Sequence, residues 1–177
     1  MNYHDIKHCD MLNGPGLRVV LFVSGCSNGC HGCHNSETWD PNSGIKFDSS
    51  SLNEIIDCLS NNYISGLTIS GGDPFYKSNI DEVYDIVSIV SKDFPDKSIW
   101  MYSGYVYEYL LDRDEVSNRI LHKIDVLVDG RYIEELKDDK LHYRGSRNQR
   151  IINVRESIKL NKVIEMEIGR ASCRERV

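Results

Sequence analysis

Three cysteines, Cys26, Cys30 and Cys33, stand within one eight-residue stretch of a 177-residue chain. A thiolate is a soft ligand that suits zinc and iron-sulfur clusters, and the spacing Cys-x3-Cys-x2-Cys lets a short loop wrap an inorganic centre from three sides. The number matters. Electron-transfer clusters are normally closed by a fourth cysteine, so three thiolates on a four-iron cubane leave one iron free to bind something else. Zinc is the competing reading, because it accepts three cysteines plus a histidine as readily as four cysteines, and His31 and His34 sit in or beside the loop. Zinc loops usually pair two short-spaced motifs, however, and no second Cys-x2-Cys or histidine pair follows. Of the remaining cysteines, Cys9 reads as incidental and Cys58 as a small buried hydrophobe within a helical pattern.

The elements that must position this loop are legible in the apolar periodicity. Residues 18–24 are β-branched and continuously apolar after the first position, as in a strand of a parallel sheet covered on both faces. Further strands are expected at 66–70, 98–102, 125–128 and near 150–154. Between them, a capping box at Ser51 and Glu54 opens a helix with Leu52, Ile55, Ile56 and Leu59 at helical spacing. A second helix is expected from about Asn79, with Glu82 as its capping partner, to Phe94-Pro95. A third is expected over 106–121. Residues 1–17 read as a lead-in with turn chemistry at Asn13-Gly14-Pro15-Gly16. The alternation implies an α/β fold with a mostly parallel sheet. The chain falls short of the roughly 250 residues of eight βα units, so a partial TIM-like barrel is the natural shape. Both the cysteine loop and Gly71-Gly72-Asp73-Pro74 then fall at the carboxyl ends of strands.

Hydrophobic content of 40% and charge of 27% are those of a soluble globule, and the length suits one domain with one core. No apolar run approaches the roughly 20 residues of a membrane span, and the first eight residues lack the apolar core of a signal peptide. A net charge of -6 argues against nucleic acid as a main partner, since neutralising phosphates takes a basic surface. Three of six cysteines crowd into one loop, so a metal centre in the reduced cytoplasm fits better than a disulfide framework. Residues 167–177 read as translation of a common sequencing adapter, which places the domain over 1–166 and strips Cys173 of functional meaning. Removing that tail takes away three arginines and two glutamates and moves the charge only to -7.

Cys-x3-Cys-x2-Cys is also the motif of the radical S-adenosylmethionine (radical SAM) enzymes. The flanking text narrows the likeness: Asn13-Gly14-Pro15-Gly16-Leu17-Arg18, Cys33-His34-Asn35 with Thr38-Trp39-Asp40, Gly71-Gly72-Asp73-Pro74, Trp100-Met101-Tyr102-Ser103-Gly104-Tyr105, Asp125-Val126-Leu127-Val128-Asp129-Gly130 and Arg144-Gly145-Ser146-Arg147-Asn148-Gln149-Arg150. In order, over nearly the whole chain, these resemble the activators of anaerobic ribonucleoside-triphosphate reductases, a branch of the glycyl-radical-enzyme activating family.

That resemblance implies a radical SAM partial barrel, a 4Fe-4S cluster on Cys26, Cys30 and Cys33, and S-adenosylmethionine chelated at the bare iron. Reductive cleavage would give a 5′-deoxyadenosyl radical that takes a hydrogen atom from a backbone glycine of the reductase. A low-potential donor such as a flavodoxin would supply the electron. No general acid or base is required, which agrees with the lack of a Ser/His/Asp or paired-carboxylate array.

For the individual residues, the resemblance implies that Gly71, Gly72, Asp73 and Pro74 hold the methionine end, Asp73 accepting from its ammonium. The superfamily at large carries Glu where Asp73 stands. Many radical SAM enzymes have an aromatic residue where this chain has Gly32, which leaves the adenine to the backbone of Gly32, Cys33 and His34. Asp129, Gly130 and Arg131 would meet the ribose and carboxylate, with Ser103 nearby. Arg18 would border the site, and Arg144, Arg147 and Arg150 form either a solvated face or a docking patch for the reductase. The alternatives are an activator of the pyruvate formate-lyase type and a non-catalytic zinc-binding interaction protein.

Overall fold

In strands, side chains alternate between two faces, so an apolar run buried on both sides needs cover on both sides. A computed structural model describes residues 1–168, and the rest of the expected tail, with Cys173, lies outside the described residues. The chain runs β1 (Asn2–Asp10), β2 (Leu17–Val23), β3 (Ile45–Lys46), α1 (Ser49–Leu59), β4 (Ile64–Gly71), α2 (Ile80–Asp93) and β5 (Ser98–Ser103). It continues through α3 (Tyr107–Arg113), α4 (Glu115–Leu121), β6 (Val126–Asp129), β7 (Arg150–Asn153) and α5 (Val154–Leu160). One seven-stranded sheet results, in the order β3-β1-β2-β4-β5-β6-β7. The central strands β2, β4, β5 and β6 are parallel, while β1, β3 and β7 join antiparallel. With β3 and β7 as edges the sheet is open, a mixed α/β architecture.

Register assigns the two faces. Leu21, Ile69, Met101, Leu127 and Ile152 lie in one row and form the main core with Ile55 and Leu59 of α1, Val83 and Val87 of α2, Leu110 of α3 and Ile120 of α4. Each such side chain, fully buried, stabilises the fold by about 1.5–3 kcal/mol. The opposite face carries Val20, Thr68, Trp100 and Val126 in one row, and a smaller cluster of Trp100, Val126, Val128 and Ile151 forms there. Met166 and Ile168 pack onto it, so the second residue of the expected tail touches the fold.

Arg18 does not border the site. It is fully buried at the amino end of β2, donating to the Thr68 hydroxyl at 2.8 Å, the Ser98 hydroxyl at 2.9 Å and the Leu67 and Ser98 carbonyls at 2.8 Å. Its guanidinium lies 5.6 Å from the Trp100 ring, and burial lowers its pKa to about 10. The arginine therefore ties the amino ends of three strands together, at the end remote from the cysteines.

Several boundaries differ from expectation for local reasons. The expected lead-in contains β1, whose polar sequence pairs with β2 and buries only Tyr3, Ile6 and Asp10. Helix α1 starts earlier, capped by Asp48, whose carboxylate accepts from the Ser50 and Ser51 amides. Glu82 pairs with the Met1 amino group rather than capping α2. The expected helix over 106–121 is broken at Asp114, whose side chain caps α4 by accepting from Ser117 N.

Candidate metal centre

The loops leaving the carboxyl ends of β2, β4, β5 and β6 meet at one end of the sheet. The cysteine loop leaves β2 and is closed by backbone bonds from Gly25 N to Thr38 O (2.7 Å) and Cys26 N to Trp39 O (3.1 Å). Beside it lies the 71–74 loop, where Gly71 takes φ +100° and a Cβ would come within 2.6 Å of the Val23 carbonyl oxygen. Only glycine lets these two backbones lie so close.

Cys26, Cys30 and Cys33 all line one cavity of about 140 Å³, together with Ser70, Gly71, Gly72, Ser103 and Gly130. His31 and His34 line neighbouring hollows instead. Among the described residues, no three His, Cys, Asp or Glu side chains are gathered closely enough to hold a single metal ion. Zinc requires four donors about 2.0–2.3 Å from one point, whereas a four-iron cluster spreads its thiolates over separate irons. Three soft donors spread around one cavity, with no histidine among its lining, fit the cluster better.

Asn28 organises this loop, a role its neutral side chain did not announce. Its backbone and side-chain N–H groups both point at Cys26 Sγ (3.5 Å), and the side-chain amide also donates to Asp73 Oδ2 (3.0 Å). Arg131 in turn donates to the Asn28 side-chain oxygen (3.1 Å) and carbonyl (2.7 Å). Burial pushes the Cys26 thiol up, and the Asn28 donors oppose that by favouring the thiolate that a metal needs. Outer partners of metal ligands typically contribute about 10- to 100-fold in affinity. Asn28→Ala should therefore lose iron that much more readily in chelator competition after anaerobic reconstitution, and an unchanged chelation curve would remove Asn28 from this role.

Asp73 is a latch between loops. Its buried carboxylate accepts from Asn28, from Phe75 N (3.0 Å), from Ser103 Oγ (3.0 Å) and from Gly104 N (3.0 Å). Its carbonyl accepts from Tyr76 N (2.9 Å) and the Asn79 side chain (3.0 Å). Burial pushes the Asp73 carboxyl up and these donors pull it back. The acceptors expected to meet an ammonium are thus occupied within the protein, and Pro74 is buried beside them. Ser103, expected near the ligand, does line the cavity while donating to this latch.

Asp129 is occupied as well. Also buried, it accepts from Arg150 Nε (3.0 Å) and Tyr107 N (2.8 Å), so the carboxylate expected to meet a ribose is engaged by donors of the protein. Arg150 also forks onto Glu108 at 2.7 and 3.0 Å, and Arg144 donates to Gln149 O at 2.6 Å. Arg147 is exposed, but the three arginines do not form one free basic cluster. Gln149, which the sequence offered only as a family mark, accepts from Gly145 N (2.8 Å) and Ser146 N (3.1 Å) while donating to Gly130 O (3.0 Å). It pins the 144–150 loop over the end of β6.

Comparison with known proteins meets this geometry. Residues 12–152 match the family model described as a 4Fe-4S single cluster domain, which is the class that the three-cysteine cavity defines. The chain is 45% identical over 151 residues to the anaerobic ribonucleoside-triphosphate reductase-activating protein of Enterobacteria phage T4, covering 85% of this chain and 93% of that one. It is 43% identical to the protein of that name from Vibrio cholerae (84% and 96% covered) and 39% to that of Escherichia coli (88% and 100%). The chain belongs to the family of anaerobic ribonucleoside-triphosphate reductase-activating proteins. Among the described residues no helix is long and apolar enough to cross a membrane.

Proposed function

We propose that residues 1–166 form a radical SAM activase of partial-barrel type that installs a glycyl radical on an anaerobic ribonucleoside-triphosphate reductase in the cytoplasm, drawing electrons from a low-potential donor such as a flavodoxin. The observation that carries this is the cavity at the carboxyl ends of the parallel strands, lined by three cysteines, no histidine and the close-lying Gly71 and Gly72. A 4Fe-4S cluster held by Cys26, Cys30 and Cys33 would supply the electron that cleaves S-adenosylmethionine into methionine and a 5′-deoxyadenosyl radical, and that radical would take hydrogen from the partner's glycine.

The chain's own residues bind and orient. Cys26, Cys30 and Cys33 hold the cluster, and Asn28, braced by Asp73 and Arg131, holds their loop. Gly71 and Gly72 let backbone approach the methionine end. Arg131 uses two of its five N–H groups on Asn28, which leaves others for a carboxylate. Gly130, which lines the cavity, is the residue left to meet the ribose, while Asp129 and Ser103 act through the loops they fix. His34 lines the adjoining outer hollow, which shares Cys33 with the cavity.

The test is anaerobic incubation with a candidate reductase, reductant and S-adenosylmethionine, followed by electron paramagnetic resonance. A glycine-centred signal on the reductase, absent when either the chain or S-adenosylmethionine is withheld, is expected. A reductase that is activated by a relative but stays silent with the reconstituted chain would refute the assignment.

A further inference from the structure

Resting on the S-adenosylmethionine reading, we propose that Tyr132 is the aromatic platform on which the adenine stacks, in place of any side chain at position 32. Three aromatic residues line the cysteine cavity: Trp39, Tyr102 and Tyr132. Tyr102 is committed elsewhere, its hydroxyl donating to Tyr143 O at 2.8 Å and its ring packed onto the Trp100 cluster. Trp39 lines this cavity alone among the hollows of the site, whereas Tyr132 also lines both neighbouring ones. Tyr132 thus stands where the cysteine cavity meets an outer hollow of about 350 Å³, with Cys33 lining both.

The ring is held while part of its surface stays exposed. Its hydroxyl donates to Glu134 Oε2 at 2.6 Å, which pushes the phenol up to about 12. Its ring carbons rest against two glycines: a Cβ at Gly145 would stand 3.0 and 3.1 Å from Cδ2 and Cε2, and one at Gly32 3.4 Å from Cε1. Neither glycine brings a side chain over the ring. His34, with centroids 6.4 Å apart and planes tilted by 57°, is not stacked on it. A fixed ring beside Cys33, open to the cavity, is what a purine base needs for stacking.

The same geometry explains why position 32 is bare. Gly32 has φ +74°, and a Cβ there would lie 2.0 Å from Glu134 Oε2. Any side chain at 32 would displace the Glu134 carboxylate to which Tyr132 donates, so the bare position leaves that bond in place.

Calorimetric titration of the anaerobically reconstituted full chain tests this with two probes. S-adenosylhomocysteine carries the base, and free methionine carries the chelating amino and carboxylate groups without it. Tyr132→Ala should weaken S-adenosylhomocysteine by about 5- to 150-fold, the usual range for a lost base-aromatic stack, and leave methionine unaffected. Tyr132→Phe, which keeps the ring and loses the hydroxyl, should stay within about threefold of the parent, since stacking needs only the π-face. Unweakened S-adenosylhomocysteine binding in Tyr132→Ala overturns the proposal, as does a parallel loss of methionine, which would make Tyr132 a general support of the site. A parent chain that binds neither probe overturns the S-adenosylmethionine reading itself, and the platform with it.

Discussion

Cys30→Ala, reconstituted anaerobically with iron and sulfide, should retain no stable 4Fe-4S cluster and form no 5′-deoxyadenosine from S-adenosylmethionine and reductant. Changing an outer partner of a metal ligand already costs about 10- to 100-fold, and removing a ligand itself goes further, because no neighbour can replace it. His31 and His34 line other hollows, and the remaining described cysteines lie elsewhere, Cys9 exposed on β1 and Cys58 in α1. Cys26→Ala and Cys33→Ala should behave like Cys30→Ala, while Cys9→Ala and Cys58→Ala should match the parent in iron, sulfide and product. Parent-like product from Cys30→Ala would end the three-thiolate assignment. A parent that takes up one zinc per chain and neither iron nor sulfide would instead return the loop to the zinc-binding alternative.

What the amino-acid order revealed, and what it concealed, divides by range of interaction. Residues 18–24 announced themselves as a strand because both faces of β2 are covered and apolar residues follow without a break from 19 to 23. Strand β1 stayed hidden because only Tyr3, Ile6 and Asp10 of its nine residues are buried, so neither alternation nor a continuous run marks it. Its strand character comes from pairing with β2, a tertiary effect that overrides weak propensity. The split between α3 and α4 has a local cause that could have been read: Asp114 is a good cap, and Glu115 follows it as an acidic first-turn residue.

The site divides in the same way. Cysteine spacing is a local property and was readable. Asp73 and Asp129, by contrast, look in sequence like acceptors for a ligand, yet each is buried among donors from distant segments: Asn28 and Gly104 for the first, Tyr107 and Arg150 for the second. A carboxylate's type gives its chemistry; only the fold says which donors reach it first. Asn28 and Tyr132 carried no signal of their own and Gln149 only a family mark, because amide and phenol side chains acquire roles here through partners such as Asp73, Glu134 and Gly130.

Asp129 offers the sharpest separation of a structural carboxylate from a ligand-binding one, through stability rather than turnover. Breaking a buried ion pair by deleting one partner costs about 3–5 kcal/mol when the other charge is left stranded. In Asp129→Ala the stranded charge is Arg150, which keeps Glu108 and whose side chain is 26% exposed, so that part of the loss is discounted. The Tyr107 amide, however, loses its side-chain acceptor at the start of α3, adding about 1–3 kcal/mol for an unsatisfied buried donor. Together these give a loss of about 3 kcal/mol, or roughly 6–12 °C in Tm for a chain of this size. Glu108→Ala, at the exposed end of the same fork, should cost no more than about 1 kcal/mol. Asp129→Asn should fall between, since its amide oxygen can still accept from Tyr107 N but carries no charge. Thermal melts of the anaerobically reconstituted proteins decide the matter. If Asp129→Ala melted with the parent and lost only affinity for S-adenosylhomocysteine, the carboxylate would belong to the ligand, and the Arg150 and Tyr107 contacts would be incidental.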